Sequence, residues 1–230
     1  MARNIKIALL LLAALATTAV AQNKFEVRKV DFEKIRQITL NSKAQFYYPR
    51  LLESYKGTDT TLNFEAYRDL YYGYIFQEDY NPFRKSEFSN KVEELYYKQP
   101  HSRAECDTIE KYAKLSLDDH IFDFDQMEFY IYVLKEKKKH ALAAVKQFRL
   151  DRLIAAIMSS GKGTKDEPWV VIFPDHEYYI VNTLGYVATA HKELPGGIDH
   201  IAAKKNDGTT KDFYFDVSRM MAEANRKFPE

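Results

Sequence analysis

Up to about Met158 the apolar residues of this chain return every third or fourth position, and from Pro168 they come instead in short β-branched and aromatic runs. A helix gathers i, i+3, i+4 and i+7 on one face, whereas a strand alternates faces residue by residue. One chain with both periods in that order is predicted to be α+β: an N-terminal α-helical hairpin array, tetratricopeptide-like, then a C-terminal four-stranded antiparallel meander and a short terminal helix.

The helical part divides at its turn signals. Phe32, Ile35 and Ile38 mark a short first helix, and after the Gly57-Thr58-Asp59 break Phe64, Tyr67, Leu70, Tyr71 and Tyr74 form a strong stripe that Asn81-Pro82 stops. Phe88, Val92, Leu95 and Tyr96 fit one buried face of a third helix, until Gln99-Pro100. Ser102 is the expected N-cap of the next, which carries Cys106, Ile109, Ala113 and Leu117. Beyond Asp118-Asp119-His120, Met127, Tyr130, Ile131 and Leu134 share a face, so two antiparallel helices are expected. A last long helix over 141–158 turns Leu150, Leu153, Ile154, Ile157 and Met158 inward and ends at Ser159-Ser160-Gly161.

Strands are expected at 169–173, 178–184, 198–203 and 212–217. Pro174-Asp175, Pro195-Gly196-Gly197 and Asn206-Asp207-Gly208 punctuate them, the last a strong hairpin turn because Asp-Gly tolerates positive φ. Ser218 is expected to cap a final helix through Met220, Met221 and Ala224. The change of period places a domain boundary at 160/161, giving a helical domain over 22–160 and a β domain over 161–230.

Residues 1–21 read as a secretory signal peptide: Arg3 and Lys6 lead an apolar run that ends in the small-x-small Ala19-Val20-Ala21. That run is shorter than the roughly 20 residues needed to span a bilayer, so cleavage before Gln22 and no membrane span in the mature chain are expected. Gln22 stands where a lipoprotein would carry cysteine, so the reading is export to the periplasm or beyond without lipidation. Cleavage changes the formal charge from +1 to −1 because Arg3 and Lys6 leave with the segment. Near neutrality speaks against nucleic acid as a partner. Cys106, the only cysteine, excludes an intramolecular disulfide despite the oxidising destination. Stability then falls to packing, and 17 Tyr, 15 Phe and one Trp supply it.

Motifs with catalytic overtones mostly dissolve on inspection. Ser160-Gly161-Lys162-Gly163-Thr164 leaves a helix and enters a strand, the reverse of a phosphate loop, and reads as a helix stop plus a tight turn. His176-Glu177 begins like a zinc-protease motif, but Ile180 replaces the second histidine and the segment reads as a strand, whose neighbours face opposite ways. Asp175, His176, Glu177, His191, Asp199 and His200 could still meet at one end of the sheet, an acid-base or metal group in which His176, His191 and His200 are the nitrogen donors. No G-x-S-x-G elbow is present. Cys106 lies on an apolar face near His101 and His120 and reads as core packing, and Lys135, Lys137, Lys138 and Lys139 as a solvated helix end.

Tyrosines give the candidate binding set. Adjacent aromatics on a helix diverge by about 100°, so one of each pair is expected to be buried and the other partly exposed. Tyr47, Tyr71, Tyr72, Tyr74 and Tyr97, with Trp169, Glu177 and Tyr178, are the expected binding residues. The expected role is non-enzymatic, with no cofactor: a concave helical face that binds another envelope protein or peptide. A glycan stacked on exposed rings is the second reading, and an envelope hydrolase built on Asp175, His176, Glu177, His191 and His200 the third.

Two resemblances follow from these residues. The stretch 115–153, with Leu117-Asp118-Asp119 before a helix, Tyr130 within it and Ala141 and Ala144 after a Lys-rich turn, resembles a divergent tetratricopeptide hairpin without a second copy. Ser160-Gly161-Lys162-Gly163-Thr164-Lys165-Asp166-Glu167 feeding Trp169-Val170-Val171, then Glu177-Tyr178-Tyr179-Ile180 with Leu184-Gly185, and Phe213-Tyr214-Phe215-Asp216-Val217-Ser218, is similar to domain-of-unknown-function family 4919 of secreted Bacteroides-type proteins. That resemblance spans about 106–218 and implies an architecture and an envelope location, with no activity attached.

Overall fold

The computed structural model describes residues 26–57, 61–98 and 100–229, and for Tyr97 the backbone alone. The signal-peptide reading of residues 1–21 and the side chain of Tyr97 lie outside what is described. The chain forms two compact units, one holding 84–150 and the other 25–83 together with 151–230. The composition switch at 160/161 is therefore not where the contacts divide. The first helices belong with the sheet, because their tyrosines supply its backbone partners, as shown below.

The unit of residues 84–150 contains a 3-10 helix Ser89–Tyr97, then α4 (Arg103–Asp119) and α5 (Phe124–Glu136), numbered after three earlier helices, and the first part of α6 (His140–Met158). The helix expected from Phe88 to Tyr96 thus winds in the tighter 3-10 form. Ser102 does cap α4, in a full capping box with Glu105. Asp123 caps α5 by accepting from the Gln126 amide. Val92, Ile109, Ala113, Phe129, Tyr130, Val133, Leu134 and Ala143 make the core. Lys137, at the end of α5, bonds Asp107 and Glu110 near the start of α4. The two helices therefore run antiparallel. Lys139 also reaches Glu110, so half of the lysine cluster is engaged in ion pairs. Cys106 is buried with its thiol pushed up, first by burial. His101 is held elsewhere, between Tyr132 Oη at 2.9 Å and the Leu95 carbonyl at 2.8 Å.

The other unit opens with α1 (Phe32–Leu40), α2 (Tyr48–Lys56) and α3 (Phe64–Gly73). Asp31 caps α1 and Asn63 caps α3. Proline in the first turn of α2 suits a helix start, since that position has no amide to lose. The unit continues with the end of α6 and then β1 (Trp169–Val170), α7 (Asp175–Thr183), β2 (Val187–Leu194), β3 (Ile198–Lys204), β4 (Thr210–Asp216) and α8 (Ser218–Lys227). Spatial order in the sheet is β1-β4-β3-β2.

Two strand expectations fail together. The 178–184 segment is α7, a helix, and a strand that was not expected, β2, follows it. The sheet is also mixed rather than an antiparallel meander: β2, β3 and β4 pair antiparallel, but β1 runs parallel to β4, with Trp169 opposite Phe215. β1 and β2 consequently point the same way from opposite edges. Such strands cannot be joined by a hairpin and need a crossover, commonly a helix. α7 is that crossover. A tetratricopeptide arrangement is not part of what is observed; the coarser α+β architecture is.

Buried backbone around β1 is satisfied by tyrosines. Tyr72 Oη donates to the Val170 carbonyl at 3.1 Å, Tyr80 Oη to the Ile172 carbonyl at 2.6 Å, and Tyr71 Oη accepts from the Ile172 amide at 3.3 Å. Buried peptide groups need such partners, and a two-residue strand cannot provide them itself. Gly163 adopts φ +66°, and a Cβ there would lie 2.5 Å from the Trp169 ring. Glycine is required for both reasons.

Candidate functional site

Glu177 of α7, His191 of β2 and Asp199 of β3 converge in the second unit. One donor atom from each lies within 4.8 Å of the other two, the one such three-residue group of His, Cys, Asp or Glu found among the described residues. The fold explains the meeting. Along β3 the residues Asp199, Ile201 and Ala203 are buried, and on β4 Phe213 and Phe215, so one face of the sheet is closed and the other half-exposed. His191 pairs with Ile201, which puts it diagonally across from Asp199 on that same closed face. α7 brings Glu177 to the same spot.

His191 Nε2 stands 3.2 Å from Asp199 Oδ2, and the edge of Tyr178 or His191 meets the face of the other at 6.1 Å. Glu177 is 1% exposed, and neither of its carboxylate oxygens has a hydrogen-bond donor. Burial foremost, then the charge and hydrogen bond of Asp199 and the charge of Asp175, push its carboxyl up to about 9. At neutral pH Glu177 is a protonated acid against the Asp199 carboxylate. The arrangement can share a proton between two carboxyls, or exchange that proton for a cation.

The other residues expected here go elsewhere. His176 is buried, its Nδ1 2.7 Å from Tyr71 Oη and its ring against Phe173. It neighbours Glu177 in sequence, but consecutive residues of a helix diverge by about 100°. His200 sits on the opposite face of the sheet, paired with Asp212 at 2.7 Å and stacked on Tyr214. Asp175 is exposed at the start of α7. The three histidines His176, His191 and His200 therefore do not form a common donor set, and the five-residue acid-base group is reduced to Glu177 and His191, joined by Asp199.

Of the expected binding aromatics, Tyr71, Tyr72, Tyr74 and Trp169 are buried. Tyr74 Oη donates to Asp79, and the Trp169 indole donates to the Gly161 carbonyl at 3.1 Å. Such rings face no solvent on which a ligand could stack. Tyr47 and Tyr178 are half-buried, Tyr47 lying beneath the Arg50 guanidinium.

What sequence reading missed is β2, where Thr189 to Glu193 are exposed in an unbroken run at the sheet's edge. A bulge separates Ala188 from Ala190. Beyond it the pairing with β3 is regular through Leu194.

The sequence profile described as "Domain of unknown function (DUF4919)" matches residues 33–226. The chain belongs to the DUF4919 family. The match takes in both units and reaches well beyond the 106–218 stretch that suggested it. Neither the comparison with curated proteins nor that with solved structures finds a match. Among the described residues no helix of this DUF4919 chain is long and apolar enough to cross a membrane.

Proposed function

We propose that this DUF4919 protein is an exported, non-enzymatic binding module that takes an extended segment of another envelope protein or peptide along β2. Export rests on residues 1–21, and the binding mode on one observation: β2 is an eight-residue edge strand with five consecutive exposed residues. An edge strand presents alternate amides and carbonyls with no strand beyond them, and an extended peptide completes that row. The bulge and Lys192 limit unspecific pairing, leaving the regular stretch His191 to Leu194 as the docking register.

The glycan reading loses its support in the burial of Tyr71, Tyr72, Tyr74 and Trp169. The hydrolase reading retains Glu177 and His191 but neither His176 nor His200. A tetratricopeptide-style concave face on the 84–150 unit has one helical hairpin behind it, fewer than the stacked repeats such a face needs.

Amide hydrogen exchange tests the proposal. Peptides selected from a display library against the purified protein should slow exchange within residues 187–194. Protection confined to 103–136 would instead favour the helical hairpin as the binding face and overturn the edge-strand assignment.

A further inference from the structure

We propose that Glu177, His191 and Asp199 bind one divalent first-row transition-metal cation, with zinc as the representative ion. This goes beyond the peptide-binding reading and does not depend on it.

The first support is convergence. The three donors come from three different elements, α7, β2 and β3, and meet within 4.8 Å. Residues scattered over 23 positions of sequence and joined only by the fold are not an incidental surface cluster, and two of the three are buried. The second support is independent. Glu177 is enclosed, aims its carboxyl at the other two residues, and receives no hydrogen bond on either oxygen. Among the described residues neither carboxyl has a Lys or Arg partner; the His191 imidazole lies 3.2 Å from Asp199. Buried acids are ordinarily paired, hydrogen-bonded or bound to a metal. Among the described residues no base pairs with Glu177 and no donor reaches either of its oxygens, which leaves the Asp199 carboxyl, with which it can share a proton, as its neighbour.

The donor chemistry selects the ion class. One imidazole with two carboxylates suits zinc, manganese or iron; without thiolate it offers little to copper(I), and calcium or magnesium prefers oxygen alone. Zinc sits about 2.0–2.2 Å from such ligands, which places neighbouring donors roughly 3.3 Å apart in a tetrahedron. His191 and Asp199 are already 3.2 Å apart. His191, on an exposed edge strand, is the least confined of the three. Three protein ligands leave a fourth position for water, or for a donor atom of a bound partner.

Coordination would join the edge strand to α7 and to the strand beside it. Zinc titration of the EDTA-stripped, purified protein against a competing chromophoric chelator tests this. One zinc ion per chain is expected, with at least tenfold weaker binding in His191→Ala and in Glu177→Gln. His191 is exposed, so its alanine variant folds whatever the fate of the buried Glu177 variant, and a zinc-dependent rise in melting temperature should vanish with it. His200→Ala, on the opposite face, should bind zinc as the parent does. Zinc binding that is absent from the parent, unaltered in His191→Ala, or abolished in His200→Ala would overturn the assignment. So would calcium binding as tightly as zinc.

Discussion

The Tyr71 hydroxyl faces two obligations at once, the Ile172 amide and His176 Nδ1. Burial pushes that hydroxyl well above its ordinary range, so it stays a neutral donor and acceptor. Removing it takes one hydrogen bond from each of two buried polar groups, at a cost of about 1–3 kcal/mol for a buried group left unsatisfied. Tyr71→Phe should therefore lower unfolding free energy by about 2 kcal/mol or more in urea titration. Tyr47, half-buried beneath the Arg50 guanidinium, should tolerate the same change within about 0.5 kcal/mol. The contrast separates tyrosines that hold the sheet from those that meet water. Sequence could not make it, because the 100° rule for adjacent aromatics assumes a helix with one wet side. Ala66, Tyr67, Arg68, Leu70, Tyr71 and Tyr72 are all buried, so α3 is enclosed nearly all round. Glu177 and His191 were legible as candidates for the same reason that their meeting was not: residue type is written in the sequence, but convergence depends on the crossover.

At the level of elements, those that declare themselves locally were readable. The Ser102 capping box, the Asn206-Asp207-Gly208 turn with Gly208 at φ +87°, and the end of α6 at Ser159-Ser160-Gly161 each need only a few neighbouring residues. α7 misled because Tyr178, Tyr179, Ile180 and Val181 favour strands, and that preference weighs little against tertiary context. Its buried residues His176, Glu177, Ile180 and Val181 do repeat every four positions. The helical period was present, but two of its inward positions are polar. β2 escaped for the opposite reason: an edge strand with five exposed residues carries no apolar alternation to find. Element-level stability can be tested at two places. Gly163→Ala combines a positive φ with a collision against Trp169, so a loss of about 2 kcal/mol or more is expected in thermal or urea unfolding. Glu110→Gln on α4 removes the negative charge that pairs with Lys114, Lys137 and Lys139. Because the lysines are partly solvated, about 1–2 kcal/mol is expected.

Across the whole molecule the two units carry titrating groups of opposite sense. In the 84–150 unit, burial holds His120 down to about 4, with Arg84 adding to the effect. Burial also works on Glu110, but hydrogen bonds from Lys137, Lys114 and Lys139 overcome it and keep the carboxyl at about 2. Both groups bind fewer protons folded than unfolded, so their stabilisation is lost on acidification. His120 acts as pH falls from about 6.5 towards 4, and Glu110 from about 4.5 towards 2. In the other unit Asp69 is raised to about 6, by burial and then by Glu65, and Glu177 to about 9. These acids hold protons when folded, so stability falls as pH rises, between about 3.8 and 6 for Asp69 and between about 4.5 and 9 for Glu177. Hydrogen exchange followed segment by segment in EDTA should therefore give crossed profiles. Relative to pH 6, residues 103–136 should lose protection at pH 4, while residues 169–183 should lose it at pH 9. Glu177→Gln keeps the uncharged shape at every pH and should flatten the alkaline loss in the second unit while leaving the acid loss in the first unchanged. Parallel profiles in both segments, or an alkaline loss that persists in the glutamine variant, would refute the assignment of these groups.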